Sequence, residues 1–153
     1  MAKFEFRLEP VLRQRELVEE DRQRDLAKVL RQRMILQTQL QNMQRSITES
    51  KHGLADGLVG KVDLDQVSHF ARYSGQQSQR AHQILVRMTD LERQIQEARG
   101  LLLNATRDRK RLELLRQRRF DRWRSDQQRR EAIEMDELSM QQYIRHANAE
   151  VAG

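Results

Sequence analysis

Apolar residues recur at alternating steps of three and four along one stretch of the chain, residues 26–54. The positions that follow this spacing are Leu26, Val29, Arg33, Leu36, Leu40, Met43, Ile47, Ser50 and Leu54. Seven of these nine positions are apolar, and the residues between them are mostly polar. Such a stripe is too narrow for a globular core but has the width of a contact with one partner helix. The pattern therefore predicts a helix in a coiled coil.

A second stretch with the same spacing supplies the partner helix. Its seam positions are Ala81, Ile84, Met88, Leu91, Ile95, Ala98, Leu102 and Ala105, and Leu112 continues the repeat beyond Arg109. Gly53, Gly57 and Gly60 separate the two stretches and disfavour helix between them. The sequence thus predicts an all-α fold, with two long helices forming an antiparallel coiled-coil hairpin. We expect a single domain over residues 1–153, with helices at about 9–52 and 64–146 and a turn at about 53–63.

Local signals mark the helix ends and the register. Proline is favoured in the first turn of a helix, so Pro10 places the start of the first helix near Glu9. Asp63 or Asp65 can cap the second helix, in which Ser74 and Gly75 form a candidate kink. A hairpin folded at the glycines places Leu26 opposite residues 89–91 and Leu8 opposite the region of Asp108. The second helix is then the longer one and overhangs its partner from about Lys110 onward.

The composition fits long helices better than a compact domain. Only 37% of the 153 residues are apolar and 34% are charged, so the chain would bury little apolar surface in a globule. Cysteine is absent, and the longest aliphatic runs have three residues. A membrane span needs about 20 apolar residues, and the N-terminus lacks the apolar core of a signal peptide. We therefore expect a cytoplasmic protein with no direct membrane insertion.

Positive charge is concentrated in residues 107–130. This segment holds eleven Lys or Arg and four Asp or Glu, a balance of +7, whereas the whole chain carries +6. The repeat here passes through Arg116, Arg119 and Trp123, and arginines on a seam cannot be buried against one helix without leaving charges unpaired. Three interpretations stay open: a solvated helix face, a nucleic-acid surface in which Phe120 and Trp123 stack on bases, or a contact with a protein that supplies carboxylates.

No motif points to catalysis, a metal or a cofactor. Residues 55–62 have the length of a phosphate-binding loop, but Ala55 and Val62 replace its first glycine and its closing Ser or Thr. The four histidines are dispersed, and no two of them have the four-residue spacing of a helical metal site. A pair of helices also lacks a pocket that would desolvate a catalytic group. We expect a non-enzymatic protein.

Several strings along the chain resemble one known family. They are FRLEPVLRQR at residues 6–15, EE at 19–20, DLA at 25–27, RKRLE at 109–113, Trp123 and MDE at 135–137. In this order, at this length and around a hairpin break, they resemble the FliJ family, the small coiled-coil components of the flagellar type III export apparatus. The resemblance covers essentially the whole chain.

The resemblance implies a hairpin like the central stalk, or gamma subunit, of rotary ATPases. Its open end would insert into a hexameric export ATPase and promote the assembly and activity of that ring. A region nearer the closed end would contact the cytoplasmic part of an export-gate membrane protein, and escort of export chaperones is a further implied role. The protein would be cytoplasmic and peripherally associated with the inner-membrane export apparatus.

The basic run and the resemblance together assign residues to these contacts. The positions expected to bind the ATPase are Phe6, Leu8, Arg116, Arg119, Phe120 and Trp123. Family members carry an exposed aromatic patch just after the hairpin turn for the export gate, and Phe70 and Tyr73 match it in type and place. One helical turn after Tyr73 the family pattern has an apolar residue, whereas this chain has Gln77.

Two other functions fit the residues without the resemblance. A free coiled-coil adaptor or chaperone would bind a client without altering any ATPase. A basic helical nucleic-acid binder would lose affinity by orders of magnitude between low and physiological salt. No DNA- or RNA-binding motif accompanies the basic run, so we expect no nucleic-acid partner.

Overall fold

A computed structural model describes residues 2–153, which form two long helices. Helix α1 spans Glu9–Gly57 and helix α2 spans Leu64–Ala152. No strand occurs in these residues, so the predicted all-α fold with two long helices is confirmed. The contacts divide the chain into two compact units. The turn unit is Leu17–Thr106, and the terminal unit joins the described residues up to Glu16 with Arg107–Gly153; a single coiled-coil domain stays a prediction.

Helix α1 begins at Glu9, directly before its proline. The amide of Glu9 donates to the carbonyl of Phe6 over 3.0 Å, and the amide of Leu12 donates to the carbonyl of Leu8 over 2.9 Å. Pro10 has no amide to donate, but the first helical turn offers that amide no partner, so nothing is lost there. The carboxylate of Glu9 also lies at the positive end of the helix dipole, which stabilises the start of α1.

Residues 58–63 connect the two helices in the turn unit. Gly60 has a φ of 120°, a conformation that side chains with a Cβ rarely adopt. Asp63 caps α2, because its Oδ1 atom accepts a hydrogen bond from the amide of Asp65 over 3.0 Å. The connection is therefore shorter than the eleven-residue turn expected from the glycines.

Both helices extend further than their glycines and composition indicate. Helix α1 passes through Gly53 and ends at Gly57, five residues beyond the expected end, and Leu54 of this added turn is half-buried. Burial of a leucine side chain offsets the cost of about 1 kcal/mol for a glycine in a helix. Helix α2 continues to Ala152 and is unbroken at Ser74 and Gly75.

The seam of the turn unit is the one that the spacing predicts. All nine predicted positions of α1 are half-buried. In α2, every predicted position from 81 to 105 is half-buried or buried, and Ile95 is 0% exposed. The seam is confirmed, and Ile95 lies at its centre.

The register of the turn unit differs from the predicted one. The NH1 atom of Arg33 donates a hydrogen bond to Oε2 of Glu92 over 3.3 Å. In an antiparallel pair, Leu26 must then lie opposite a residue beyond Glu92, so its predicted position opposite residues 89–91 was wrong. The prediction placed the reversal within a turn at about 53–63, whereas α1 continues to Gly57 and the chain reverses after it.

Candidate functional site

Three aromatic rings form a cluster in the terminal unit. The ring of Phe4 lies 5.3 Å from that of Phe120 at an angle of 81°, an edge-to-face contact. Trp123 lies 5.8 Å from both Phe4 and Phe120, and it stacks on Phe120 at 30°. Phe120 and Trp123 are one turn apart on α2, whereas Phe4 belongs to the non-helical residues that precede α1. Aromatic pairs at these distances contribute about 0.5–1.5 kcal/mol beyond the area they bury.

Phe6 lies beside this cluster under an arginine of α2. The guanidinium carbon of Arg119 is 5.7 Å from the centre of the Phe6 ring, within the range of a cation–π interaction. Phe6 is only 7% exposed, whereas Arg119 is exposed. Leu8 is half-buried, and Leu12 is 3% exposed. Apolar side chains of the N-terminal segment and the first turn of α1 thus form the core of this unit.

Two arginines of the seam form ion pairs with carboxylates of the same chain. Arg116 lies 3.1 Å from Glu9, and Arg109 lies 2.6 Å from Glu113 one turn further along α2. These pairs are partly exposed to solvent, so each contributes at most about 1 kcal/mol to stability. Two of the arginines are therefore paired without an external partner.

A shared carboxylate fixes the register of the terminal unit. Asp108 lies 3.6 Å from Arg15 of α1 and 3.9 Å from Arg111 of its own helix. Its predicted position opposite Leu8 was wrong, because Arg15 follows Leu8 by seven residues. The cause is the late reversal of the chain that also shifts the register of the turn unit.

The predicted overhang from Lys110 onward was also wrong. Residues 2–16 contact α2 as far as Trp123, so this part of the basic run already has a partner in the chain. Trp123 is accordingly half-buried instead of exposed. Beyond Gln127, nearly every residue of α2 is exposed, and the overhang begins there.

Two features of the terminal unit were absent from the predicted site. Phe4, Phe6 and Leu8 alternate with charged residues, which is the pattern of an extended segment with one apolar face. Phe4 was nevertheless missing from the predicted site. The overhang also exposes large apolar side chains, each more than half exposed: Ile133, Met135, Leu138, Met140, Tyr143, Ile144 and Val151.

The predicted gate-binding residues lie in the turn unit, close to the connection between the helices. Phe70 and Tyr73 are half-buried and line an open groove of about 450 Å³ together with Gly53 and Leu54 of α1. Gly53 has no side chain, and a Cβ added there would meet nothing within 4 Å. Gln77, which departs from the family pattern, is half-buried.

The described part of the chain contains neither a cluster of metal-binding side chains nor a membrane-spanning helix. No group of three or more His, Asp or Glu in residues 2–153 is arranged to hold a metal ion. Every buried side-chain nitrogen or oxygen there has a hydrogen-bond partner. Over the same residues, neither helix is long and apolar enough to cross a membrane.

Comparison with known protein families gives one match. The model of the family described as flagellar FliJ protein matches residues 4–148 of this chain. No curated protein and no solved structure matches it. The matched range includes both helices almost completely, together with Phe4, Phe6 and the aromatic residues of α2. The chain therefore belongs to the flagellar FliJ protein family.

Proposed function

We propose that this protein is a non-enzymatic stalk of the flagellar export ATPase complex. Membership of the FliJ family supports a role in flagellar protein export. In this proposal the terminal unit inserts into the hexameric ATPase, in the manner of the central stalk of a rotary ATPase, and promotes ring assembly and activity. The protein would act in the cytoplasm, held peripherally at the inner-membrane export apparatus.

The observation that carries this proposal is the convergence of the predicted contact residues. Phe6 and Leu8 come from the start of the chain, and Arg116, Arg119 and Phe120 come from a segment more than a hundred residues later, yet they lie in one unit. Arg and aromatic residues are the types most enriched where a few side chains supply most of a binding energy. Both arginines are exposed and can exchange their present contacts for carboxylates of a partner.

Turnover of the cognate export ATPase tests the proposal. We expect the chain to increase ATP hydrolysis and to change Trp123 emission in a saturable titration. Arg119→Glu should abolish both effects, because it places a like charge before the partner's carboxylates. Arg129→Glu is the matched control: Arg129 is exposed and follows the aromatic cluster, so this variant should retain stimulation.

The outcomes separate the competing functions. Unchanged turnover with binding to another protein would favour the free adaptor or chaperone. Binding to single-stranded nucleic acid that weakens by orders of magnitude between low and physiological salt would favour the basic nucleic-acid binder. Equal effects of Arg119→Glu and Arg129→Glu would mean that the basic run acts through its net charge and not through this site.

A second contact is proposed at the groove of the turn unit. Phe70 and Tyr73 line this groove together with Gly53, which has no side chain, and an apolar side chain from the cytoplasmic part of an export-gate protein could insert there. Tyr73→Ala should weaken binding to that fragment and leave ATPase stimulation unchanged. Escort of export chaperones is a further proposal, and a binding assay with a purified chaperone would test it. If Tyr73→Ala still binds the chaperone, the chaperone contact lies outside this groove.

A further inference from the structure

Residues 2–8 form a non-helical segment that covers the face of α2 containing Arg116, Arg119, Phe120 and Trp123. Phe4 packs on the two aromatic rings, and Phe6 lies under Arg119. Within the described residues, no backbone hydrogen bond joins residues 2–5 to α2. Two aromatic side chains therefore provide the main visible contacts between this segment and the helix.

The covered face contains four of the six residues assigned above to the ATPase, and the other two, Phe6 and Leu8, belong to the covering segment. Phe6 is only 7% exposed, so a partner cannot contact its ring while the segment stays in place. The Phe4 ring takes up one side of Phe120 and Trp123. Glu9, the first residue of α1 directly after the segment, is paired with Arg116. A partner that uses these same groups must compete with residues 2–9.

We propose that this face of α2 is a docking surface for an extended protein segment, and that residues 2–8 act as a tethered cover that the segment displaces. The identity of the partner as the export ATPase rests on the proposed function. The incoming segment should carry the same chemical groups as the residues it displaces. These groups are two aromatic side chains two residues apart, as in Phe4 and Phe6, and a carboxylate that replaces Glu9. Such a segment would take the same aromatic, cation–π and ion-pair contacts.

Charge favours a protein segment over nucleic acid on this face. Glu113 and Asp121 stand on α2 beside the arginines, and Glu9 and Glu16 line the adjoining groove of about 520 Å³. These carboxylates repel phosphates at short range but leave room for single carboxylates to pair with Arg116. A chain of phosphates would meet both signs of charge.

The cover also has an energetic consequence. A tethered segment competes at an effective concentration in the millimolar range, although each of its contacts is weak. The apparent dissociation constant of a partner equals the intrinsic constant divided by the fraction of open molecules, so a cover closed about 90% of the time weakens binding about tenfold. Removing the cover should therefore strengthen binding.

Phe4→Ala tests this in the full-length chain, because Phe4 holds the cover without being an assigned ATPase contact. We expect the affinity for the ATPase to rise about tenfold and Phe4→Leu to have a smaller effect. A second variant holds the cover in place. It carries Lys3→Cys and Arg124→Cys, joined by a reducible cross-linker, in a chain that has no other cysteine. It should lose stimulation and regain it on reduction, whereas each single-cysteine variant treated alike should remain active. Circular dichroism checks that all variants keep their helix content.

The opposite results would overturn the inference. If Phe4→Ala weakens binding and the cross-linked chain still stimulates turnover, residues 2–8 are a fixed part of the contact surface and not a cover. In that case the stalk proposal stands, because wild-type stimulation is measured in the same series. If the wild-type chain does not stimulate turnover, the stalk proposal is refuted. The docking surface is then tested by the peptide measurement below.

The peptide measurement uses residues 2–9 as the probe. Added at millimolar concentration, this peptide should change Trp123 emission in the full-length Phe4→Ala chain and leave the wild-type chain unchanged. A peptide with Ala in place of both phenylalanines is the control and should have no effect. No response to the unaltered peptide, or tighter binding of a single-stranded oligonucleotide at physiological salt, would overturn the assignment of this face to a protein segment.

Discussion

The Nε atom of Arg116 lies 3.1 Å from Oε2 of Glu9, which joins the first turn of α1 to α2 in the terminal unit. The two side chains are 51% and 36% exposed, so water screens the pair. An ion pair of this kind contributes between about 0 and 1 kcal/mol. Its main consequence is positional: it places a carboxylate at Arg116, where the proposed partner would have to supply one.

A double-mutant cycle with Glu9→Gln and Arg116→Gln measures this pair. We expect a coupling free energy below about 1 kcal/mol from urea unfolding, reduced further at high salt because screening shortens the range of exposed charges. Glu9→Gln combined with Arg118→Gln is the control and should show no coupling. A coupling above about 2 kcal/mol would mean that the pair is desolvated and supplies much of the stability of the terminal unit.

Phe4→Ala should shift the emission of Trp123 to longer wavelength. Trp123 is the only tryptophan of the chain, and the Phe4 ring covers one side of it. Removal of that ring lets water reach the indole, so quenching by iodide should increase as well. Phe70→Ala, in the turn unit, removes an equally large ring and should leave both signals unchanged. Identical spectra for Phe4→Ala and wild type would contradict the contact.

Ile95→Ala should lower the free energy of unfolding by about 2–4 kcal/mol, since a fully covered side chain leaves a cavity when it is shortened. Ile95 is 0% exposed and lies at the centre of the seam of the turn unit. Leu85→Ala is the matched control, because Leu85 lies on the same helix and is 52% exposed. That variant should change the free energy by less than about 1 kcal/mol. Equal losses for both would mean that Leu85 is covered in solution.

The heptad spacing was sufficient to predict both helices and the residues of the seam. Leu26, Leu54 and Ile95 occupy the positions that it assigns, because the apolar stripe of a coiled-coil helix has only one side on which to be buried. The register could not be obtained in this way. If one helix is shifted by seven residues along the other, the apolar positions of the two helices align again, so the repeat allows several registers. The end of α1 at Gly57 decides between these registers.

The residues proposed to bind the ATPase stay a prediction, whereas the structure shows how they are arranged. Arg116, Arg119, Phe120 and Trp123 share the end of the chain that the sequence indicates. Their cover by residues 2–8 was missed, because a short non-helical segment has no helical period from which its partner can be read. The sequence left open whether the arginine seam is solvated or meets an external partner, and it did not indicate that Glu9 and Glu113 pair with Arg116 and Arg109.

Alanine substitutions at Gly53 and Gly60 should change the free energy of unfolding in opposite directions. Gly53 lies inside α1, and a Cβ added there meets nothing within 4 Å, so Gly53→Ala should raise the free energy of unfolding by about 1 kcal/mol. Gly60 has a φ of 120°, and Gly60→Ala should lower that free energy by about 1 kcal/mol or more through backbone strain. Urea unfolding followed by circular dichroism measures both variants under the same conditions. Stabilisation by Gly60→Ala would show that residues 58–63 adopt another conformation in solution. Destabilisation by Gly53→Ala would show that α1 ends before Gly53, as the glycine pattern alone had predicted.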